Sequence, residues 1–413
     1  MVQLLITLVI HGKLAMRSCI RVYSLINRHI KVPHFTSVRN WMMLIGFWMI
    51  EKRRLLANDW LWMIDFSASV GQDKVLVVLG IRQRDLVEKR GALQLEDMDV
   101  LGIQPMKQTL NTEVIKLLDR CVERFGIPKQ IISDRGSDVK KASEGFSKQS
   151  DQTRVSFDFK HKAACLLKEE LKNDSCWNEY ITRMNQCRNQ VQQTEISPLK
   201  PCRLKTKARY MNLEPIGRWF SKAKSWLTAD CQGELEELCN NQGDKAREKL
   251  DWIHDYSQDM DQWNEYLTIC ESLSKEVAIQ HLHSELPSIL RQKIDELGLV
   301  SQKSILFAEK LVQFSTEQCE GLQPGDQYLS STEILECLFG QGKVIQKDQS
   351  KCGMTGLILT HALQAGDSIQ KYSQQALKET KIVEVREWVK ENFGKTELSL
   401  RKQFFQGPKV IKT

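Results

Sequence analysis

The chain has 413 residues, of which 59 are Lys or Arg and 52 are Asp or Glu. That length can bury a sizeable core and is long for one compact unit, so we expect two or three domains. The 12 cysteines form no CxxC pair, which excludes a zinc ribbon or a thioredoxin-like site built on such a pair and indicates reduced thiols in a cytosol.

The apolar stretches of the sequence indicate neither a signal peptide nor a membrane span. The opening MVQLLITLVI lacks a basic n-region and is followed directly by His11, Gly12 and Lys13. The run from Trp41 to Ile50 is shorter than the roughly 20 residues that cross a bilayer. We therefore expect a soluble protein without a membrane partner.

The net positive charge of the chain comes from residues 1–54, and the remainder of the chain sums to near −1. This stretch holds nine basic residues against the single acid Glu51, whereas the formal net charge of the whole chain is +7. A basic segment on a near-neutral body is typical of a protein with a polyanionic partner, because Lys and Arg that neutralise phosphates release condensed counterions. Charge alone does not separate DNA from RNA or acidic lipid, and a solvated basic surface is the alternative.

Residues 1–54 are predicted to form a helix-turn-helix-like segment. RSCIRVYSLINRHI indicates one helix, Pro33 ends it, and Thr36 or Ser37 caps a second helix in SVRNWMMLIGFWMI. In such a motif the first turn of the second helix meets base edges or phosphates, and the basic link EKRR follows. The predicted DNA-contacting residues are Ser37, Arg39, Asn40, Lys52, Arg53 and Arg54. A small helical packing element is the alternative.

Asp65 is predicted to lie inside a strand. The apolar patterns of WLWMIDFSASV and KVLVVLGI indicate two paired strands. Asp65 stands between Ile64 and Phe66, where an unpaired carboxylate is costly unless it binds a cation or lies at the end of the sheet.

Asp134 is predicted to follow a later strand. TLNTEVIKLLDRCVERFG has helical periodicity and ends at Gly126, which suits a helix C-cap. IPKQIISDRGSD then indicates a strand that ends at Asp134, and RVSFDFKHKAACLLKEEL indicates a further strand that passes into a helix near Ala163. A turn former is the alternative role for Asp134.

A third acid is predicted on a helix near the end of the chain. Residues 171–325 are rich in Leu, Trp, Glu and Lys with few turn signals, and we expect them to be all helical, with their Trp residues in helix–helix cores. In YLSSTEILECLFGQGK, Ser331 suits an N-cap, and Glu333, Glu336 and Phe339 lie on neighbouring helical turns. A surface helical residue is the alternative role for Glu336.

The order of these acids points to metal-dependent phosphodiester chemistry. One acid lies within a first strand, one at the end of a later strand and one on a helix packed against the sheet, so their side chains can converge on two Mg²⁺ ions. Two such ions activate an attacking oxygen and stabilise the leaving oxygen. The predicted catalytic and metal-binding residues are Asp65, Asp134 and Glu336.

Three blocks of the sequence resemble the catalytic blocks of bacterial insertion-sequence DDE transposases. They are WMIDFSASVGQDKVLVVLGI around Asp65, IPKQIISDRGSD around Asp134 and SSTEILECLFGQGK around Glu336. The last block is also similar to the Glu motif of the hAT superfamily, in which serines precede a Glu that stands three residues before a Phe, here Phe339. Six residues separate Glu336 from the basic Lys343, a spacing of many bacterial transposases, so both spacings favour Glu336 over Glu333.

The resemblance implies an α/β fold with an RNase H-like mixed sheet flanked by helices, interrupted by a large all-α insertion. It implies a helix-turn-helix-like segment at residues 1–54, catalytic parts at 55–170 and 326–413, and the insertion at 171–325. Mg²⁺ or Mn²⁺ would bind the three acids, water would cut the transposon end, and the freed 3′-hydroxyl would attack the target. The partner would be double-stranded DNA, held by a dimer or larger assembly on the nucleoid in a bacterial cytoplasm.

Five further residues are candidates for auxiliary roles, and two other functions stay open. Lys74, Arg135 and Lys343 are candidates for phosphate contacts, His161 for a neighbour of the metals, and Glu333 for the third acid, with solvated or structural side chains as the alternative. A nuclease of the same fold shares the acids. A catalytically inactive, element-derived DNA-binding protein also fits, because the chain opens in an apolar helix as a shortened element would.

Overall fold

The computed structural model describes residues 1–29, 31–70, 73–89, 91–134, 136–150, 152–228, 231–348, 355–393 and 397–407. The chain forms two compact units. Unit 1 contains Met1–Asp158 and Asp326–Thr413, and unit 2 contains Phe159–Gly325. The first division therefore falls after Asp158 and not after residue 170.

Unit 1 is built on one mixed sheet. Its strands are β1 Trp60–Val70, β2 Asp73–Arg82, β3 Asp99–Met106, β4 Gln130–Ser133 and β5 Arg154–Phe157. The strand order is β3-β2-β1-β4-β5, in which β1, β2 and β3 are antiparallel while β4 and β5 run parallel to β1. The predicted α/β class with a mixed sheet flanked by helices is confirmed.

Residues 2–149 supply helices that pack on both faces of the sheet. They are α1 Val2–Ile10, α2 Met16–Ile26, α3 Phe35–Phe47, a π-helix Trp48–Lys52, α4 Gln83–Glu88, a 3-10 helix Leu95–Asp97, α5 Asn111–Phe125 and α6 Ser137–Gln149. The predicted end of α5 at Gly126 is confirmed, since this residue has a φ of 92° and its N–H donates to the Val122 carbonyl oxygen. A side chain is poorly accommodated in that conformation.

Unit 2 is helical in the part of it that the structure describes. Its helices are α7 Phe159–Lys172, α8 Ser175–Val191, a 3-10 helix Ser197–Leu199, α9 Leu213–Trp226, α10 Gln232–Leu238, α11 Gly243–Leu250, a 3-10 helix Asp251–Tyr256, α12 Ser257–Gln280, α13 Leu286–Leu297 and α14 Gln302–Cys319. The predicted helix–helix core is present, with the rings of Trp177 and Trp263 in an edge contact at 4.9 Å. Both rings also contact that of Tyr180.

The chain then returns to unit 1. The last elements are α15 Glu333–Asp348, a 3-10 helix Gly356–Leu363, α16 Ser368–Glu379, α17 Ile382–Phe393 and α18 Glu397–Gln406. Among the helices of the described ranges, none has both the length and the apolarity that a bilayer span requires.

The N-terminal helices are part of the core of unit 1. Ile45 on α3, Leu79 on β2 and Leu359 in the 3-10 helix Gly356–Leu363 belong to one buried hydrophobic cluster. Gly46 permits this packing, because a Cβ at that position would overlap the backbone of Leu359. Residues 1–54 therefore do not form a compact unit of their own.

The predicted N-cap of α3 is wrong. The helix begins at Phe35 and His34 is its N-cap, with a side chain that accepts a hydrogen bond from the Thr36 N–H. The His34 Nδ1 also lies 2.9 Å from Thr36 Oγ1. The imidazole thus takes the capping role that Thr36 or Ser37 was expected to have.

His361 is a buried neutral base in the core of unit 1. Its Nδ1 lies 3.0 Å from the Ile358 carbonyl oxygen. A Cβ at Gly342 of α15 would overlap the His361 ring, so the two elements meet closely there. Burial lowers the pKa of His361 to about 4.

We expect His361 to make the protein less stable in mild acid. The unfolded imidazole takes up a proton near pH 6.5, whereas the folded one stays neutral down to about pH 4. Protonation therefore favours the unfolded protein, and the free energy of unfolding falls as the pH falls below 7. Between pH 7 and 5 this loss is about 2 kcal/mol of unfolding free energy. Urea unfolding of His361→Gln should show a correspondingly smaller difference between these pH values than the wild type. An exposed control, His11→Gln, should keep the full difference, and an unchanged difference in His361→Gln would contradict the prediction.

Candidate active site

Three parallel strands of unit 1 carry aspartates at the same level: β4 and β5 each end directly before one, and β1 carries Asp65 in its middle. The last paired row across β1, β4 and β5 consists of Ile64, Ser133 and Phe157. The residue that follows each of these along the chain is an aspartate, which gives Asp65, Asp134 and Asp158. Because one row of a sheet places its side chains on the same face, the strand register brings these three carboxylates to one edge of the sheet.

The charges of the surrounding acids act on Asp65. Burial raises the pKa of the Asp65 carboxyl, and the charges of Asp134, Glu336 and Asp158 raise it further, to about 7. The Phe66 N–H donates to Asp65 Oδ1 at 2.6 Å and opposes this rise. The arrangement concentrates negative charge in a partly buried place.

Glu336 reaches this group from α15, which packs against β1. It lies in the first turn of the helix, as does Glu333. The charge of Glu336 is among those that raise the pKa of Asp65. Glu336 therefore lies near enough to Asp65 for their charges to interact.

Asp134 forms a turn and also faces the other acids. Its Oδ1 accepts a hydrogen bond from the Gly136 N–H at 2.9 Å. A Cβ at position 136 would lie 2.8 Å from the same oxygen, so a side chain there would displace the Asp134 carboxylate. The role as a turn former and a place beside Asp65 are thus compatible. Arg135, which stands between Asp134 and Gly136 in the chain, lies outside the described residues.

Asp158 was not predicted from the sequence as a site residue. It is 6% exposed, and its Oδ2 accepts hydrogen bonds from the Thr332 N–H at 2.6 Å, the Thr332 hydroxyl at 2.8 Å and the Ser331 hydroxyl at 3.2 Å. Ser331 Oγ in turn accepts from the Glu333 N–H at 3.2 Å. Asp158 therefore holds the first turn of the helix that carries Glu336. The signal was an aspartate directly after an apolar strand in RVSFD, the same pattern as IISD.

The auxiliary candidates are dispersed. Lys74 is exposed at the start of β2, with Nζ 6.0 Å from the ring centroid of Phe66, the neighbour of Asp65. Lys343 is exposed on α15, two turns beyond Glu336. His161 lies on α7 and belongs to unit 2, not to the unit that carries the acids.

One predicted DNA contact is contradicted by burial. Arg53 is 2% exposed, pairs with Asp99 at 2.6 Å and donates to the Val100 carbonyl oxygen at 2.8 Å. It joins the π-helix to β3 and is not available to a phosphate. Lys52 is partly exposed but already pairs with Glu384 at 2.7 Å.

The exposed cations of the N-terminal helices lie on α2 more than on α3. Ser37, Arg39 and Asn40 are half-buried on α3, and Arg39 Nε is a buried donor without a hydrogen-bond partner among the described residues. Arg17 and Arg21 on α2 are exposed. Arg54, after the π-helix, is exposed as well.

The donor set suits a hard cation, but it does not converge on one point. Carboxylate oxygens are the ligands that Mg²⁺ and Mn²⁺ prefer. A bound cation would offset both the burial of the Asp65 charge and its repulsion by the neighbouring acids. Within the ranges that the structure describes, however, no group of three His, Cys, Asp or Glu side chains is close enough to hold a metal ion.

Comparison with solved structures shows a likeness to a transposase complex. No family model matches the chain, and no curated protein matches it in sequence. A solved strand-transfer complex of the Drosophila P element transposase is similar to this chain, with a TM-score of 0.41 and 12% identity over 91% of this chain and 92% of that one. At this identity and TM-score, the likeness does not assign an activity or a site residue to this chain.

Proposed function

We propose that this protein is a DNA transposase that uses Asp65, Asp134 and Glu336 to cut and join phosphodiester bonds. The observation that carries the proposal is the grouping of acids at one edge of the sheet, where the charges of Asp134 and Glu336 act on Asp65. Acids that repel one another in a partly buried place destabilise the folded protein, and ionisable groups perturbed in this way are most common at functional sites.

The three acids would bind Mg²⁺ or Mn²⁺ through their carboxylate oxygens. When bound, two such ions activate the attacking oxygen and stabilise the leaving oxygen of an in-line displacement. The protein's own contribution is positional. β1 and β4 hold Asp65 and Asp134 side by side, the Gly136 N–H orients Asp134, and α15 supplies Glu336 from a helix whose start is tied to Asp158.

The proposed reaction has two displacements at phosphorus. In the first, a water oxygen attacks the phosphodiester at the element end and the 3′-oxygen leaves as a hydroxyl. In the second, that 3′-hydroxyl attacks a phosphodiester of the target, and the target's own 3′-oxygen leaves. Neither step needs a covalent bond to the enzyme. The partner is double-stranded DNA, and joining two ends at one target calls for two copies of the chain or more.

A cleavage assay with matched variants tests this proposal. Supercoiled plasmid and a labelled duplex from the DNA flanking the gene would be incubated with Mn²⁺ or Mg²⁺ and each variant. We expect metal-dependent nicking that is lost in Asp65→Asn, Asp134→Asn and Glu336→Gln and retained in Glu333→Gln, the neighbour in the same helical turn. Covalent joining of the labelled 3′ end to plasmid is expected as well.

Each other outcome points to a different protein. Nicking without joining would indicate a nuclease of the same fold. DNA binding without cleavage under any metal would indicate an inactive, element-derived binding protein. Loss of nicking in Glu333→Gln, with activity retained in Glu336→Gln, would move the third acid to Glu333.

A further inference from the structure

Positive charge in unit 2 is concentrated in one short stretch. The unit as a whole is slightly acidic, with 22 Lys and Arg against 25 Asp and Glu. Residues 200–224 nevertheless hold eight of the basic residues and a single acid, Glu214. The concentration of positive charge at residues 200–224 is not part of a generally basic surface, because the remaining residues of the unit are strongly acidic.

The stretch begins with a loop, residues 200–212, that is held in a defined shape. Its last residue, Asn212, has a φ of 63°, and its side-chain amide bonds the backbone of Lys205 twice, accepting from the N–H at 2.9 Å and donating to the carbonyl oxygen at 3.0 Å. Tyr210 anchors the same loop to α12 through a hydroxyl contact of 3.2 Å with Ser274. Cations carried by a loop fixed in this way lose less conformational entropy when they bind a ligand.

This loop and α9 border a cavity of about 820 Å³. The cations that line it are Arg203, Lys205, Lys207, Arg209, Arg218 and Lys222, against the two acids Glu214 and Glu271. Arg218 pairs with Glu214. Arg203, Lys205 and Lys207 are exposed, and no carboxylate of the described residues lies within ion-pair distance of them. They occupy alternate positions along the loop and line the cavity together, and we refer to them as a row of cations.

We propose that this row, Arg203, Lys205 and Lys207 with Lys222 on α9, is a binding surface for the phosphate backbone of a nucleic acid. A single phosphate needs one converging set of donors, whereas a row of separated cations suits successive phosphates of a strand. Six cations line the cavity, whereas most small-molecule sites carry only a few polar groups. Such contacts position the nucleic acid and do not read its sequence.

The inference rests on the nucleic-acid role proposed above but not on the acids of unit 1. Binding is therefore measured with the full chain in EDTA, where no metal-dependent step takes place. If Asp65→Asn loses cleavage but binds DNA normally, the proposal for this surface still stands. If a variant without the cations of the loop cleaves normally but binds weakly, the result concerns this surface and not the acids of unit 1. The two proposals can fail separately.

The test compares two triple variants with the same change of charge. One is Arg203→Gln with Lys205→Gln and Lys207→Gln. The control, Lys168→Gln with Lys172→Gln and Lys275→Gln, removes three exposed cations elsewhere in unit 2. Binding to a labelled duplex of arbitrary sequence is measured over a series of salt concentrations, and helical content by circular dichroism checks the fold. A third variant, with Arg203→Lys, Lys205→Arg and Lys207→Arg, retains the charges.

We expect the loop variant to bind about tenfold more weakly or worse at low salt, because each phosphate contact contributes about 0.9 to the slope of log affinity against log salt. That slope should fall by about two to three units, while the control and the charge-retaining variant stay at the wild-type slope. Equal binding by the loop and control variants overturns the proposal. It is also overturned if a nucleoside triphosphate stabilises the wild type and not the loop variant while duplex binding is the same in both, since the site would then serve a small ligand.

Discussion

Asp65→Asn is expected to stabilise the metal-free protein and to abolish its stabilisation by Mn²⁺. Burial and the charges of the neighbouring acids raise the pKa of Asp65 to about 7, so the ionised carboxylate is costly in the folded protein at pH 8. An amide has no such cost, and the unfolding free energy of the variant in EDTA should rise by about 2–4 kcal/mol. Substitution of a residue that served packing alone would instead lower the free energy of unfolding of the protein.

Thermal unfolding in EDTA and in millimolar Mn²⁺ measures both parts of this prediction. The wild type should be stabilised by Mn²⁺, because a ligand that binds only the folded state raises its stability. Asp65→Asn should start from a higher midpoint and gain nothing from the metal, and Glu333→Gln should behave as the wild type. A destabilised Asp65→Asn that still responds to Mn²⁺ would remove Asp65 from the site. The cleavage activity of Asp65→Asn should fall by at least about 10³-fold, the equivalent of several kcal/mol of transition-state stabilisation.

Substitution of Asp158 is expected to impair catalysis without abolishing the binding of Mn²⁺. Asp158→Ala takes the acceptor away from the buried Thr332 N–H and from two hydroxyls, at a cost of about 3 kcal/mol in unfolding free energy. Asp158→Asn keeps one oxygen and should cost less. In both variants the start of α15 is less well fixed, and misplacing Glu336 by about 1 Å is enough to lower the turnover rate by about 10²-fold.

Three measurements distinguish this positioning role from metal ligation. If Asp158 acts through α15, Asp158→Asn keeps the Mn²⁺-dependent stabilisation and the DNA affinity while its turnover falls. A matched variant, Thr332→Val, removes one of the hydroxyl donors and leaves the N–H contact, so it should lose only about 1 kcal/mol and little activity. Loss of the Mn²⁺ response in Asp158→Asn would instead make Asp158 a ligand.

Several elements were predictable because their causes are local. The strand around Asp65 follows from an apolar run that buries Ile64, and the helix that ends at Gly126 follows from its periodicity and from a glycine with positive φ. The helical character of unit 2 follows from a long stretch rich in Leu, Trp, Glu and Lys with few turn signals. The bacterial insertion-sequence origin and the cytoplasmic location stay predictions.

Other features depend on which elements become neighbours. Asp158 joins the acids only because the register pairs Ser133 with Phe157, and a register cannot be read from either strand alone. Arg53 looked like part of a basic link, yet the π-helix and β3 enclose it with Asp99. The charge of residues 1–54 likewise suggested a separate module, although the apolar faces of its helices belong to the core of unit 1.

The sequence by itself determined the type of the elements, the order of Asp65, Asp134 and Glu336 along the chain, and the basic stretch of residues 200–224. These properties are set by side-chain periodicity, strand-forming runs and charge, which act within a few residues. Only the tertiary structure decided that Asp158 ties α15 to the end of β5, that Arg53 is buried and that the cations around Lys205 line one cavity. Those outcomes depend on burial and on hydrogen bonds between residues far apart in the chain, whose energies exist only once the elements have packed.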